Sequence, residues 1–260
     1  MRHFPQLESG CAGQYPVVKR MAPRVAWSET PSGLRRRAFD GAGSHVAWRM
    51  ELHGLSESEA AAIEGLFEEC EGRRRSFTFV DPTANLLAAT DDGTSTYWEK
   101  GPGAVVTGGV DGVGGAGGGF LITNQGVNWS GVWQAAAIPE QMTYCVSAWV
   151  RSAGGGRARL RIGQTARVVE AGSEWRQEWV SGTSGETGAV EFAIEAEPGG
   201  ALEVWGPQAE AQLAPSEYKR NRGRGGWYGR ARFRGDELSL EAEGLDVYGG
   251  VVEIESLWEE

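Results

Sequence analysis

The clearest pattern in the chain lies at residues 45–53, where Val46, Trp48, Met50 and Leu52 share one parity and Ala47, Arg49, Glu51 and His53 the other. A period of two is that of a strand with one buried face. Residues 23–29 and 33–39 read as two further strands around a turn at Thr30-Pro31-Ser32. The period then changes. Ser56 and Glu59 have capping-box spacing, Ile63, Leu66, Phe67 and Cys70 recur at helical intervals, and Gly72 supplies a stop. This predicts one short helix packed on a sheet, followed by a strand at 76–80 that ends at Asp81-Pro82.

After Pro82 the character changes. Residues 101–119 are so rich in glycine that they predict a loop region with little strand content. Strand-like runs then recur at 120–123, 131–137, 143–151, 157–162, 175–180, 190–196 and 201–205, separated by Gly, Pro or Ser turns. Short, evenly spaced strands of this kind predict a β-sandwich or jelly roll. Residues 229–234 alternate Arg230, Arg232 and Arg234 with Ala231 and Phe233, and 238–240 and 251–257 are strand-like too. These last strands need partners, which the strands before Pro82 can supply. The expected fold is therefore all-β with one short helix. Residues 1–82 and 223–260 form a split β-barrel or sandwich host domain, and residues 83–222 an inserted β-sandwich (jelly-roll) domain.

Composition sharpens this picture. The chain has 40 glycines in 260 residues, which favours turns and bulges over helix. Its formal net charge is −10, which argues against sequence-independent binding to nucleic acid. The charge is uneven: residues 83–215 carry roughly 7 Lys/Arg against about 14 Asp/Glu, while the flanks are closer to balance. Cys11, Cys70 and Cys145 are too few and too far apart for a disulfide framework or a zinc site. The first residues lack the apolar core of a signal peptide and no apolar run reaches the length of a membrane span, so folding in the cytoplasm is expected.

Catalytic motifs are missing. His3, His45 and His53 form no metal-binding pattern, and no nucleophile elbow or Ser/His/Asp set is present. Residues 112–119 are glycine-rich but lack the basic residue and the following helix of a phosphate cradle. Glu174 and Glu178, flanking Trp175 and Trp179, are the most suggestive carboxylate pair for a glycosidase, and a solvated strand edge explains them more simply. No enzyme is expected.

Tryptophan is the stronger signal, with 11 residues. Flat aromatic rings stack on the apolar faces of sugars while polar neighbours read the hydroxyls. Trp129 lies in the polar run 124–130, where Asn128 and Gln125 can supply hydrogen bonds, and Trp133 and Trp179 are further candidates. Trp149 and Trp205 read as core filler. Among the arginines, Arg35, Arg36, Arg37, Arg73, Arg74, Arg75, Arg230 and Arg232 fall in the host segments among balancing carboxylates, a composition that suits intersubunit salt bridges, with a solvated face and contact with DNA as the other readings.

The central segment resembles the carbohydrate-binding-module-like jelly rolls of bacteriophage tail proteins, which open with N-L-L and W-x-K, carry a strand of the Y-T-F-S-V-W-V-K-A kind, and close with a W-G-x-Q-x-E…S-x-Y signature. The matching residues are Asn85-Leu86-Leu87, Trp98-Glu99-Lys100, 143–151, Trp205-Gly206-Pro207-Gln208-Ala209-Glu210 and Pro215-Ser216-Glu217-Tyr218. The flanks are similar to the N-terminal domain of phage distal tail or minor tail proteins, through Phe4-Pro5, the helix after a long strand, Phe77-Thr78-Phe79-Val80-Asp81 and residues 231–240. The resemblance implies a structural virion protein, made in the host cytoplasm and carried on the tail. It would form a ring, a hexamer or trimer, between a tail tube protein and a hub or tip protein, and its insert would face a host-surface glycan. It also implies a structural calcium in the insert, with Asp91, Asp92 and Asp111 as oxygen ligands; no other cofactor is expected. A free-standing lectin-like protein is the alternative, and a glycan-degrading enzyme a more distant one.

Overall fold

The structure, a computed structural model, describes residues 1–185 and 188–257. In chain order its elements are β1 (Val17–Glu29), β2 (Arg35–Leu55), α1 (Glu57–Cys70), β3 (Phe77–Val80), β4 (Glu99–Lys100), β5 (Ala104–Val110), β6 (Gly119–Asn124), β7 (Ser130–Ala136), β8 (Tyr144–Arg151), β9 (Gly156–Ile162), β10 (Thr165–Ala171), β11 (Arg176–Gly182), β12 (Val190–Ala196), β13 (Ala201–Glu210), β14 (Trp227–Phe233), β15 (Leu240–Gly244) and β16 (Val247–Leu257). The protein is thus nearly all β with one short helix. It divides into two compact units, one built from residues 1–8, 12–79 and 228 onward, the other from residues 9–11 and 80–227.

The first unit is a single sheet in the order β1-β2-β16-β14-β3, with β15 added on β16. Val46, Trp48, Met50 and Leu52 are buried, as their alternation predicts, and form a core with Phe4, Phe77, Phe79, Phe233 and Ile254. Aromatic rings meet edge to face there: Trp48 lies 4.6 Å from Tyr228 and Phe67 lies 5.1 Å from Phe233, centroid to centroid. Helix α1 buries Ala60, Ile63, Leu66 and Cys70. Its first turn is closed by the reciprocal capping box of Ser56 and Glu59, and its end by Glu71 in the left-handed region (φ 53°). Gly72 follows the cap, and its N–H donates to the Phe67 carbonyl at 3.1 Å.

The second unit is a sandwich of two five-stranded sheets, β10-β9-β12-β7-β4 and β11-β8-β13-β6-β5. Val132, Leu160, Ile162, Phe192 and Ile194 from the first sheet and Phe120, Ile122, Tyr144, Val146 and Val204 from the second are fully buried between them. Tyr144 and Phe192 join the two layers, centroid to centroid at 5.6 Å. Two elements depart from the sequence reading. Part of the glycine-rich stretch 101–119 is strand: Val105, Val106 and Thr107 are β-branched and pair along β6, so residues 101–103 and 111–118 are what lies outside the strands. Strand β10 is an unread edge strand, whose face is mostly polar. In the loop, glycine is needed for approach, since a Cβ on Gly112 would lie 2.1 Å from the Trp205 indole.

The two ends of this unit are joined by one side chain. Asn85 is 2% exposed, and its amide makes four hydrogen bonds. Its Nδ2 donates to the carbonyls of Pro207 (3.0 Å) and Lys219 (3.1 Å), and its Oδ1 accepts from the N–H groups of Leu87 (3.0 Å) and Ala209 (3.0 Å). Alongside, Asn221 donates to the Leu87 carbonyl at 2.9 Å, and the N–H of Gly226 reaches the Asn85 carbonyl at 2.9 Å. The Asn-Leu-Leu motif is thus a clasp. Asn85→Asp leaves two buried carbonyls facing a carboxylate, and we expect it to destabilise this unit by about 3 kcal/mol. Denaturant unfolding of the full chain, with hydrogen exchange at the β13 amides, measures this; a change below about 0.5 kcal/mol would contradict the clasp.

Candidate functional site

The outer face of the β10-β9-β12-β7-β4 sheet carries two kinds of side chain in ordered rows. On β7, Val132, Gln134 and Ala136 point into the sandwich, which turns Gly131 and Trp133 outward. Trp129, just before the strand, has the same parity. At a strand's rise per residue, the four positions from Trp129 to Trp133 span about 13 Å. Gly131 stands between them, opposite Glu195 on β12. A Cβ there would lie 2.1 Å from the Ile194 carbonyl, so the position admits no side chain, and Gly131 is itself buried between the two indoles. Both indoles are half-buried.

Beside them runs a ladder of opposite charges. Arg157, Arg159 and Arg161 alternate outward on β9, and Glu191 and Glu195 do so on β12. Arg159 holds Glu195 through two bonds of 2.6 and 2.9 Å, Arg161 reaches Glu191 at 3.1 Å, and Arg157 binds Glu197 at 2.9 Å. Two-point pairing fixes the guanidinium planes. The guanidiniums of Arg159 and Arg157 lie 5.2 and 5.7 Å from the Trp129 ring centre, which steadies that indole by cation–π attraction. Trp133 lies across from Glu99 and Ala193. Two indoles on one face, edged by fixed donors and acceptors, can stack a sugar ring and bind its hydroxyls.

Of the residues singled out from the sequence, the structure brings Trp129 and Trp133 to this one face. Asn128 and Gln125 are exposed in the loop leading to Trp129, and the Asn128 carbonyl accepts from Asn124 at 2.7 Å. Trp179 lies elsewhere, on the outer face of the opposite sheet, across from Ser147. Trp149 and Trp205 are there too; they are half-buried and outward-facing, not core filler as their sequence context suggested. Their rings are engaged by the protein. Trp205 lies 6.5 Å from Trp149 and 5.1 Å from Tyr218, and its Nε1 donates to the Gly117 carbonyl at 3.3 Å; Trp175 lies under Arg151, 4.5 Å away. The closing signature explains the cover. Gln208 and Glu210 are buried on β13 and hold the returning chain: Lys219 N–H donates to Gln208 at 2.6 Å, Lys219 Nζ to Glu210 at 2.6 Å and Ser216 Oγ to Glu210 at 2.6 Å. The ladder arginines and glutamates were not singled out beforehand. The R-x-R-x-R run at 157–161 and the acids at 191, 195 and 197 are the signal that could have found them, as two strands of opposite charge.

The other candidates fall into structural roles. Asp91 accepts from Arg220 Nε at 2.8 Å and Arg222 Nε at 3.0 Å. Burial works to raise its pKa, and the two arginines outweigh it, so the carboxyl sits below the usual aspartate range. Asp92 closes a local turn by accepting from Thr94, and Asp111 is exposed. Among the described residues no group of three or more His, Cys, Asp or Glu side chains is placed to hold a metal ion. Asp91 is already neutralised by arginine, a poor setting for a cation. Strand β11 begins at Arg176, so Glu174 lies outside it, and Glu178 is paired with Arg167 at 3.4 Å; alternation therefore does not align these two acids. Burial pushes the Cys145 thiol up to about 12, with Glu210 adding to the shift, which makes it inert as a nucleophile. No helix among the described residues is long and apolar enough to cross a membrane.

The host arginines disperse. Arg73 pairs with Asp236 at 3.1 Å, Arg74 and Arg75 with Glu71, and Arg232 donates to the Arg73 and Arg74 carbonyls. Arg230 is exposed on β14, and Arg35 binds Glu29 at 2.8 Å. The side chains of Arg36 and Arg37 make no hydrogen bond or ion pair among the described residues.

No protein-family model matches the chain, and no curated protein matches it in sequence. Among solved structures it is similar to the CBM22-1 xylan-binding domain of Paenibacillus barcinonensis Xyn10C, at 10% identity and TM-score 0.39, over 50% of this chain and 94% of that one. It is also similar to the C-terminal family 22 carbohydrate-binding module of Clostridium thermocellum Xyn10B, at 15% identity and TM-score 0.41, over 53% of this chain and 99% of that one. A third similar structure is the enzymatically active domain of bacteriophage CBA120 tailspike protein 4, at 11% identity and TM-score 0.34, over 48% of this chain and 21% of that one. Each is a likeness in chain course at low identity.

The Asp91 cluster yields a pH test. A depressed folded-state pKa contributes stability above the unfolded pKa, and that stability is lost as pH falls through the folded value. Asp91→Asn should therefore lower the Tm at pH 7, and the gap from wild type should close as pH falls below the normal aspartate range. A gap that is constant from pH 7 to pH 3 in a thermal melt series would show that the arginine pairs contribute nothing electrostatic.

Proposed function

We propose that the chain is a glycan-binding protein without catalytic activity, and that the sugar lies across the outer face of the β10-β9-β12-β7-β4 sheet. The observation that carries this reading is the row Trp129–Gly131–Trp133 set against the Arg159–Glu195 ladder. The indoles stack on sugar rings, and exposed polar atoms of Asn128, Gln125 and Arg157 contact hydroxyls. Low single-site affinity is offset if several copies act together, since linked sites raise avidity without new contacts.

We further infer that the protein is a virion component of a phage tail, with the first unit as the mount and the second as the outward glycan-binding part. The support is the set of tail-protein motifs, each of which has a definite place in the fold: Asn85 in the clasp, Trp205 beneath Tyr218, and Gln208 and Glu210 on the returning chain. In this reading copies form a ring between tail tube and hub, and the glycan is on the host surface.

Trp133→Ala and Trp129→Ala should each weaken binding by about tenfold, the loss of one stacking contact worth about 1.4 kcal/mol. A printed array of bacterial surface and plant polysaccharides identifies the probe, and titration calorimetry measures the loss. Trp179→Ala, on the opposite sheet, should bind as wild type. Binding that survives both substitutions, or is lost only with Trp179, would overturn the placement of the site. A large fall in Tm for Trp133→Ala would mark that residue as structural.

A further inference from the structure

The hairpin of β1 and β2 extends well past its own core. Residues 23–29 and 31–39 are all exposed, so this part of the ribbon has nothing packed on either side. Two strands alone are marginal in water, yet this ribbon holds its large apolar side chains in the open. Trp27 is 67% exposed, Phe39 and Leu34 are each 56% exposed and Val25 is 50% exposed. Register puts them together: Val25 is opposite Phe39 and Trp27 opposite Arg37, so these four share one face. Apolar groups gathered on one face of an exposed arm mark a binding surface.

The charge of the arm indicates what it binds. Lys19, Arg20, Arg24 and Arg35, Arg36 and Arg37 outnumber Glu29 and Asp40, in a chain whose net charge is −10. Arg36 and Arg37 have no ion-pair partner among the described residues. The same unit presents the complement. Helix α1 has no Lys or Arg, and its exposed Glu57, Glu64 and Glu68 likewise lack ion-pair partners among the described residues. The unpaired cations and unpaired anions of one copy do not meet within it, whereas in two copies they can. Backbone pairing at the free edge of β1 is disfavoured, because Pro23 lacks an N–H and the register shifts between Ala22 and Arg24. Contact therefore runs through the side-chain face.

We propose that this arm docks on a second copy of the chain, with Val25, Trp27 and Phe39 buried against it and Arg37, from the same face, facing the Glu64–Glu68 side of its α1. Two different patches meet in such a contact, so it is head-to-tail and repeats from copy to copy. The proposal deepens the ring reading above by naming its contact, and it does not depend on glycan binding.

Sedimentation velocity of the full chain over a range of concentrations and salt tests it. Wild type should self-associate, less so as salt rises. Trp27→Ser with Phe39→Ser, and separately Arg37→Glu, should each weaken association at least tenfold. Their Tm should not change, since these side chains are exposed. Adding Glu64→Arg and Glu68→Arg to the arginine reversal should restore it. If wild type associates and the arm variants associate equally well, the arm is overturned while a ring through other surfaces survives. A monomeric wild type at every concentration overturns both. A monomer that instead binds phosphatidylserine vesicles or duplex DNA, and loses this with Arg37→Glu, overturns the protein partner in favour of lipid or nucleic acid. Failure of the charge swap to rescue overturns α1 as the landing surface.

Discussion

The buried amide of Asn85 is the contact on which the second unit depends. A carboxamide has two donor and two acceptor positions, and here all four are used. The partners come from three distant stretches: Leu87 where the chain enters the unit, Pro207 and Ala209 at the irregular end of β13, and Lys219 where the chain leaves. No apolar residue can do this, because each of those backbone groups would then be buried without a partner. The bond set forces the start and end of the unit to lie side by side.

Tryptophan serves three different purposes in this chain, which explains why its abundance alone indicates little. Trp48 and Trp98 are buried filler, and Trp98 Nε1 is satisfied by the Ala89 carbonyl at 3.1 Å. Trp205 and Trp175 are half-buried platforms that hold other parts of the protein, Tyr218 and Arg151. Trp129 and Trp133 are half-buried on one outer sheet face, Trp129 beside the guanidiniums of Arg157 and Arg159. The arginine ladder beside it follows from burial: Glu195 is 8% exposed, and a carboxylate so covered needs the two-point pairing that Arg159 gives it.

Charge is likewise arranged by role. Most arginines of the first unit are used internally, on Glu71, Asp236, Glu253 and backbone carbonyls. In the exposed arm Arg24 and Arg35 pair with Asp40 and Glu29, while the side chains of Arg36 and Arg37 have no ion pair among the described residues and lie near exposed apolar side chains. Partly exposed pairs of the first kind contribute little to stability, whereas unpaired charge beside exposed Trp and Phe is a feature of contact surfaces.

Local rules made some of this legible from sequence. The alternation at 45–53 places Trp48 and Met50 in the core because strand side chains alternate with a period of two. The capping box of Ser56 and Glu59 starts α1 because its atoms lie within one turn of each other. The all-β class follows from short runs between glycine-rich turns. What stayed hidden depends on contacts between distant residues. Glycine near residue 112 reads as loop, yet it is required by the Trp205 ring that lies against it. Trp149 and Trp205 read as core because the sequence carries no record of which side of the sheet is outward. The meeting of Trp129, Trp133, Arg159 and Glu195 is set by strand register across β7, β12 and β9, where a shift of one residue would turn every one of these side chains to the other face. Register is decided by the packed interior, and so by tertiary structure alone.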